Sequence, residues 1–322
     1  MTVTTHARPQ PGPPIATAGT RHVTHRPSTP EELLLGTVIP GDCRFTLSDE
    51  LPRAELPFED GGRRPHDLHY VTAAMHSVAR LAATRYLRIP ARRPLRVARA
   101  DVLLDDTVAW HRLAQSGHAT TDLRLRHTVA ADGGTGLDCE ATVFMQGTRY
   151  ATGSLSLELA AAPGSAAPVA VPDGPRSPVP AVARPLPEQV GRLDPGNVVL
   201  ANPRFGPGAQ LTADILPEPG NPVFDPAANE RACALLLAEA TRQAAVLAAC
   251  ELRGFTPAYC VTVQWSGQFP SDLDHGTPLS CRTVPGPVSR DSLGRPAVAF
   301  ELTLLRGRTP TGTIGTTLVL DC

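Results

Sequence analysis

A carboxylate, a guanidinium and an amide stand close together in the run Leu235-Leu236-Leu237-Ala238-Glu239-Ala240-Thr241-Arg242-Gln243-Ala244-Ala245-Val246-Leu247. Spacings of three and four residues put Glu239, Arg242 and Gln243 on one face of a helix, a turn apart. Nearly every other residue of the run is Leu, Ala or Val, so the helix is expected to be apolar all round and buried. An ordinary exposed ion pair needs a polar face to belong to, and this helix offers none. Holding a carboxylate and a guanidinium there carries a desolvation cost that mutual attraction only partly offsets. A functional site is the better reading.

The chemistry such a set can do is acid–base work beside an anion. Desolvation pushes a carboxylate toward neutral pH, where it can take a proton from a hydroxyl. Arg242 offers a planar fork for a phosphate or a carboxylate. Gln243 can donate to a carbonyl oxygen or orient Glu239. Backbone N–H groups at the start of the helix, around Ala232 to Leu235, can face a developing oxyanion. All thirty basic residues are arginine, which excludes Schiff-base and lysine-base chemistry. The seven cysteines (43, 139, 233, 250, 260, 281 and 322) form no Cys-x-x-Cys pair and lie at no zinc spacing with histidine. They are expected as reduced, buried thiols of a cytoplasmic protein, with no metal site and no cofactor.

These side chains must be positioned by something larger than one helix. A chain of 322 residues with 42% hydrophobic residues has material for two cores. Its net charge of −1 and pI near 6.8 give no reason to expect nucleic acid or an anionic membrane as partner. No long apolar run suggests a membrane span. The opening, with Pro9, Pro11, Pro13 and Pro14, has no apolar signal region, and residues 1–23 are expected as a disordered tail. An Ala/Pro-rich stretch at 160–190 is expected as a linker crossing the outside, between domains at 24–159 and 191–322.

The two halves repeat one order of elements. In the first, the runs 33–35 and 44–47 suggest strands, and a helix is expected at about 68–87. Strands follow at 95–104, 121–129, 137–146 and 148–159, with a tight turn at Gly147. In the second, strands at 198–200 and 211–215 precede the helix at about 232–252, closed by Gly254. Strands then run at 258–269, 279–285, 297–305 and 312–320. A long helix followed by a four-strand meander, twice, predicts an α+β double hot-dog fold: two antiparallel sheets, each wrapping a long central helix.

Several segments resemble the A-factor synthase (AfsA-like) family of γ-butyrolactone and furan signal biosynthesis, across about residues 24–320. They are His25-Arg26 with Glu31-Glu32-Leu33-Leu34-Leu35, Leu51-Pro52-Arg53-Ala54, Asn197-Val198-Val199-Leu200, Phe224-Asp225-Pro226 and, most specifically, Leu237 to Gln243. The resemblance implies paired hot-dog domains that move a β-ketoacyl group from an acyl carrier protein thioester to the hydroxyl of dihydroxyacetone phosphate. It implies that Glu239 acts on that hydroxyl and that Arg242 recognises the phosphate. Arg231, His76 and Ser77 are the residues expected to help bind substrate, with His76 and His69 able to serve as acid or base.

The chain also departs from the family pattern. The first helix carries Ala73-Ala74-Met75-His76-Ser77 where a second Glu-x-x-Arg-Gln is usual. Glu230-Arg231 replaces Asp-His, and Cys233-Ala234 replaces Pro-Gly. Loss of that histidine argues against a dehydratase. Two other readings follow: a hot-dog protein that binds an acyl group or carrier without transferring it, and an acyl thioesterase.

Overall fold

The computed structural model describes residues 2–7, 20–24, 43–50, 68, 71–72, 75–76, 79–80, 83–84, 89–90, 95–105, 118–129, 135–145, 147–159, 182–221, 223–224, 232–269 and 278–321. The strands are β1 (Thr2–Ala7), β2 (Thr20–Thr24), β3 (Cys43–Glu50), β4 (Leu95–Leu104), β5 (His118–Val129), β6 (Thr135–Met145) and β7 (Thr148–Leu159). The second half adds β8 (Leu200–Gly206), β9 (Gln210–Ile215), β10 (Cys260–Gln268), β11 (Leu279–Arg290), β12 (Pro296–Arg306) and β13 (Thr309–Leu320). The long helix Ala232–Arg253 lies between β9 and β10.

Among the described residues, thirteen strands join one antiparallel sheet, in the order β2-β1-β3-β5-β6-β7-β4-β10-β13-β12-β11-β9-β8. The order is a palindrome about the β4–β10 pair. On one side β4, β7, β6, β5 and β3 follow outward; on the other, β10, β13, β12, β11 and β9. The repeat of elements in sequence is thus a repeat in space. The fold is the expected α+β double hot dog, with one correction. The two expected sheets are a single continuous one, because Arg99–Leu103 of β4 pairs antiparallel with Gln264–Gln268 of β10. Left apart, each strand would present an open row of N–H and C=O groups.

The long helix forms because its sequence is almost all good helix formers, Ala and Leu above others. It ends where expected, at Gly254, whose φ of +70° no Cβ-bearing residue adopts cheaply. The Gly254 N–H returns to Cys250 O at 3.2 Å and that of Phe255 to Ala249 O at 3.2 Å. Residues 237–249 are buried without a break, because β8 to β13 cover one side and the segment 187–190 the other. Alternation supplies the sheet's inner face. Leu279, Cys281 and Thr283 of β11 are buried there, as are Phe300, Leu302 and Leu304 of β12, and Ile314, Thr316 and Leu318 of β13. The stretch Cys233–Arg253 is apolar and long enough to cross a membrane by composition, yet 78% of its most apolar window is buried inside the fold.

In the first half, described residues 71–72, 75–76, 79–80 and 83–84 are helical. Leu68, Val71, Met75, Ala79 and Ala83 are buried along one stripe. This helix comes so close to β7 that a Cβ at Gly153 would lie 2.7 Å from Met75 Sδ. Close approach, not turn geometry, explains that glycine.

Two expectations change. Strands β1 and β2 occupy part of residues 1–23, expected as a disordered tail: Thr2-Val3-Thr4-Thr5 is β-branched throughout, and pairing of β1 with β2 and β3 outweighs the proline run that follows it. Of the stretch 160–190 expected as linker, 160–181 lies outside the described residues, whereas Pro187–Val190 forms a 3₁₀ turn with Val190 fully buried. The expected strand at 33–35 also lies outside the described residues.

Candidate functional site

The helix's polar set meets a segment that returns across it. Pro187–Val190 ends at Gly191, left-handed at φ +68°. That reversal aims Arg192 back at the helix. A second 3₁₀ turn, Pro195–Asn197, is capped by Asp194, whose Oδ1 accepts from Gly196 N at 2.8 Å. Asn221 Nδ2 donates to Gly196 O at 2.8 Å and fixes the same turn from outside.

Glu239 sits at the centre with 0% exposure. Its Oε1 accepts from Arg192 Nε at 2.8 Å, from Arg242 Nη2 at 2.8 Å and from Gln243 Nε2. Its Oε2 accepts from Arg242 Nε at 3.0 Å and from Arg192 Nη2. Two guanidinium forks thus grip one carboxylate from two elements. Arg192 and Arg242 are themselves 4% and 5% exposed. Arg242 Nη2 also donates to Val190 O at 2.9 Å. Gln243 is bound on both ends: its Oε1 accepts from Val199 N at 3.0 Å and its Nε2 donates to Asn197 O at 2.7 Å.

The arrangement differs from a carboxylate poised as a base in water's place. Burial is as expected, but five donors converge on Glu239, and donors demand the ionised form. For the carboxylate to reach a substrate hydroxyl, an arginine must first turn away. As it stands the cluster locks the segment 190–199 onto the helix.

Sequence spacing grouped Glu239, Arg242 and Gln243, and the structure gathers all three. It adds Arg192, which sequence reasoning missed. The one available signal was Gly191, a turn residue just where the proline-rich stretch gives way to Val198-Val199-Leu200. His76 is buried in the first half against β4, with Nε2 3.4 Å from Leu95 O. Arg231, Ser77 and His69 lie outside the described residues.

Among the described residues no three of His, Cys, Asp and Glu gather to hold a metal ion. The buried thiols are poor nucleophiles. Burial pushes Cys281 up to about 12, and burial together with Glu140 and Asp138 pushes Cys139 higher still.

Part of the chain is similar to a known family, and its fold is similar to solved structures. No curated protein matches the sequence. Among solved structures, a thioesterase II candidate from Thermobifida fusca YX has a TM-score of 0.46 at 15% identity, over 87% of this chain and 92% of that one. An oleoyl thioesterase candidate from Lactobacillus plantarum gives 0.49 at 10%, over 87% and 97%. An acyl-CoA thioesterase II from Mycobacterium marinum gives 0.41 at 13%, over 86% and 90%. The family described as the A-factor biosynthesis hotdog domain matches residues 176–320, the half that holds Arg192 and Glu239. That second half of the chain, residues 176–320, carries an A-factor biosynthesis hotdog domain.

Proposed function

We propose that this protein is an acyltransferase that moves a β-ketoacyl group from an acyl carrier protein thioester to the hydroxyl of dihydroxyacetone phosphate. The observation that carries the reading is the pair of guanidinium forks closed on one carboxylate, on the central helix of an A-factor-type hot-dog half. Two forks are what a phosphate dianion takes, and Glu239 holds their places until one arrives. On this reading the acceptor's phosphate draws Arg242, then Arg192, away from Glu239. The uncovered carboxylate takes the acceptor's hydroxyl proton, the oxygen attacks the thioester carbonyl, and the carrier's thiol leaves. Neither partner reacts without the other, which suppresses hydrolysis of the thioester.

The saturation of Glu239 favours a second reading, in which the cluster is purely a lock and the protein binds an acyl group or carrier without transfer. Mass spectrometry of β-ketoacyl carrier protein incubated with the protein, with and without dihydroxyacetone phosphate, separates the two. Transfer gives a phosphorylated β-keto ester only when the acceptor is present. An intact thioester in both reactions supports binding alone. Free β-keto acid in both supports a thioesterase.

A further inference from the structure

The chain that leaves the long helix brings two thiols together. Cys250 lies in the helix's last turns, and Cys260 is the first residue of β10. Between them the backbone folds back on itself through Gly254 N–H to Cys250 O, Phe255 N–H to Ala249 O and Tyr259 N–H to Thr256 O, at 3.2, 3.2 and 3.0 Å. The return sets the two side chains in hydrogen-bond contact. Cys260 Sγ also lies 3.5 Å from Thr256 O. Both thiols are partly exposed, whereas Cys139 and Cys281 are sealed in the core. The bond from Cys260 lowers the Cys250 pKa, against burial and Glu251, which raise it. A thiolate is the species that attacks a disulfide.

We propose that Cys250 and Cys260 are a redox modification site: a small-molecule disulfide converts them to a reversible disulfide that staples the end of the long helix to β10. The Cys250 thiolate attacks one sulfur of the small disulfide, whose S–S bond breaks and releases one thiol. Cys260 then gives up its proton and attacks the Cys250 sulfur of the mixed disulfide, expelling the second thiol. The protein's two thiols are oxidised, and the reagent is reduced to two thiols. The staple anchors the C-terminal end of the helix that carries Glu239, and it forms whatever reaction that helix serves.

The test uses the whole chain treated with oxidised glutathione, unfolded, alkylated with N-ethylmaleimide and cut with trypsin. Cleavage after Arg242, Arg253 and Arg282 puts the two cysteines on separate peptides. Joining of peptides 243–253 and 254–282 through Cys250 and Cys260, with loss of alkylation at both, is the expected result. Cys139 and Cys281 should remain fully alkylated. In Cys260→Ser, Cys250 should be held as a mixed disulfide with glutathione, because nothing resolves it. Full alkylation of Cys250 and Cys260 in the treated wild-type chain overturns the proposal. So does a cross-link that joins either one to a different cysteine.

Discussion

A carboxylate gripped by two arginines cannot be half removed without consequence. Glu239→Gln is nearly isosteric, but it leaves Arg192 and Arg242 buried without the charge that both now face. Breaking a buried pair in this way typically costs about 3–5 kcal/mol. The variant is therefore expected to lose that much in urea denaturation, whatever happens to activity. Full stability combined with lost ester formation would show that the charge serves chemistry alone. Arg242→Lys asks the complementary question, since it keeps the charge and loses the fork. Under the transferase reading it should raise the Michaelis constant for dihydroxyacetone phosphate, about tenfold or more, and leave that for the carrier thioester nearly unchanged. The reverse pattern would assign Arg242 to the acyl or carrier side. Spacing and an apolar background made Glu239, Arg242 and Gln243 legible in the sequence. Arg192 was not legible, because its partner is far along the chain and Gly191 and Leu193 beside it carry no periodicity. Nor could spacing show that donors would fill every side of the carboxylate.

Between elements, close contacts decide what can change. A methyl at Gly153 would lie 2.7 Å from Met75 Sδ and 3.2 Å from Asp101 O. Gly153→Ala should cost about 1–3 kcal/mol by overpacking. In a Met75→Ala background that cost should fall by at least about 0.5 kcal/mol, read as a double-mutant coupling. Unchanged cost would place the strain at the Asp101 carbonyl instead. At the β11–β12 hairpin, Arg295 bridges Asp291 at 2.6 Å and Asp321 at 2.9 Å. Burial alone would raise the Asp291 pKa, but the hydrogen bonds and charge of Arg295 win and hold it below the usual carboxylate value. A lowered folded-state pKa stabilises above the unfolded value and fades as pH falls through the folded one. The stability gap between wild type and Asp291→Asn should therefore be present at neutral pH and shrink below about pH 4. A gap that widens in acid would reverse the sign of that interaction. Strands such as β4 and β7 were legible to the residue because no proline falls inside their runs. β11 was expected to stop at Pro285, yet it runs on to Arg290 through an irregularity between Pro285 and Val288. Pro285-Gly286-Pro287 hides the continuation, since proline reads as a strand end even where a bulge accommodates it.

For the whole molecule, the decisive contact is the one that element order could not show. The sequence repeats an element series twice, but nothing in it says that β4 and β10 must meet. Only the need to pair two otherwise open edges settles that. The consequence can be tested by separating the halves. A fragment of residues 176–322 would carry β10 with the side that now pairs with Arg99–Leu103 left open. In the palindromic sheet, β4 and β10 occupy equivalent places and run antiparallel. A second β10 can therefore take the place of β4, related by a two-fold axis. The fragment is expected to form a homodimer through β10–β10 pairing, measured as twice the fragment mass by sedimentation equilibrium. A fragment that stays monomeric at tens of micromolar and unfolds cooperatively would show that β10 needs no partner. The continuous sheet would then be a convenience of packing, and the two halves would owe each other little stability.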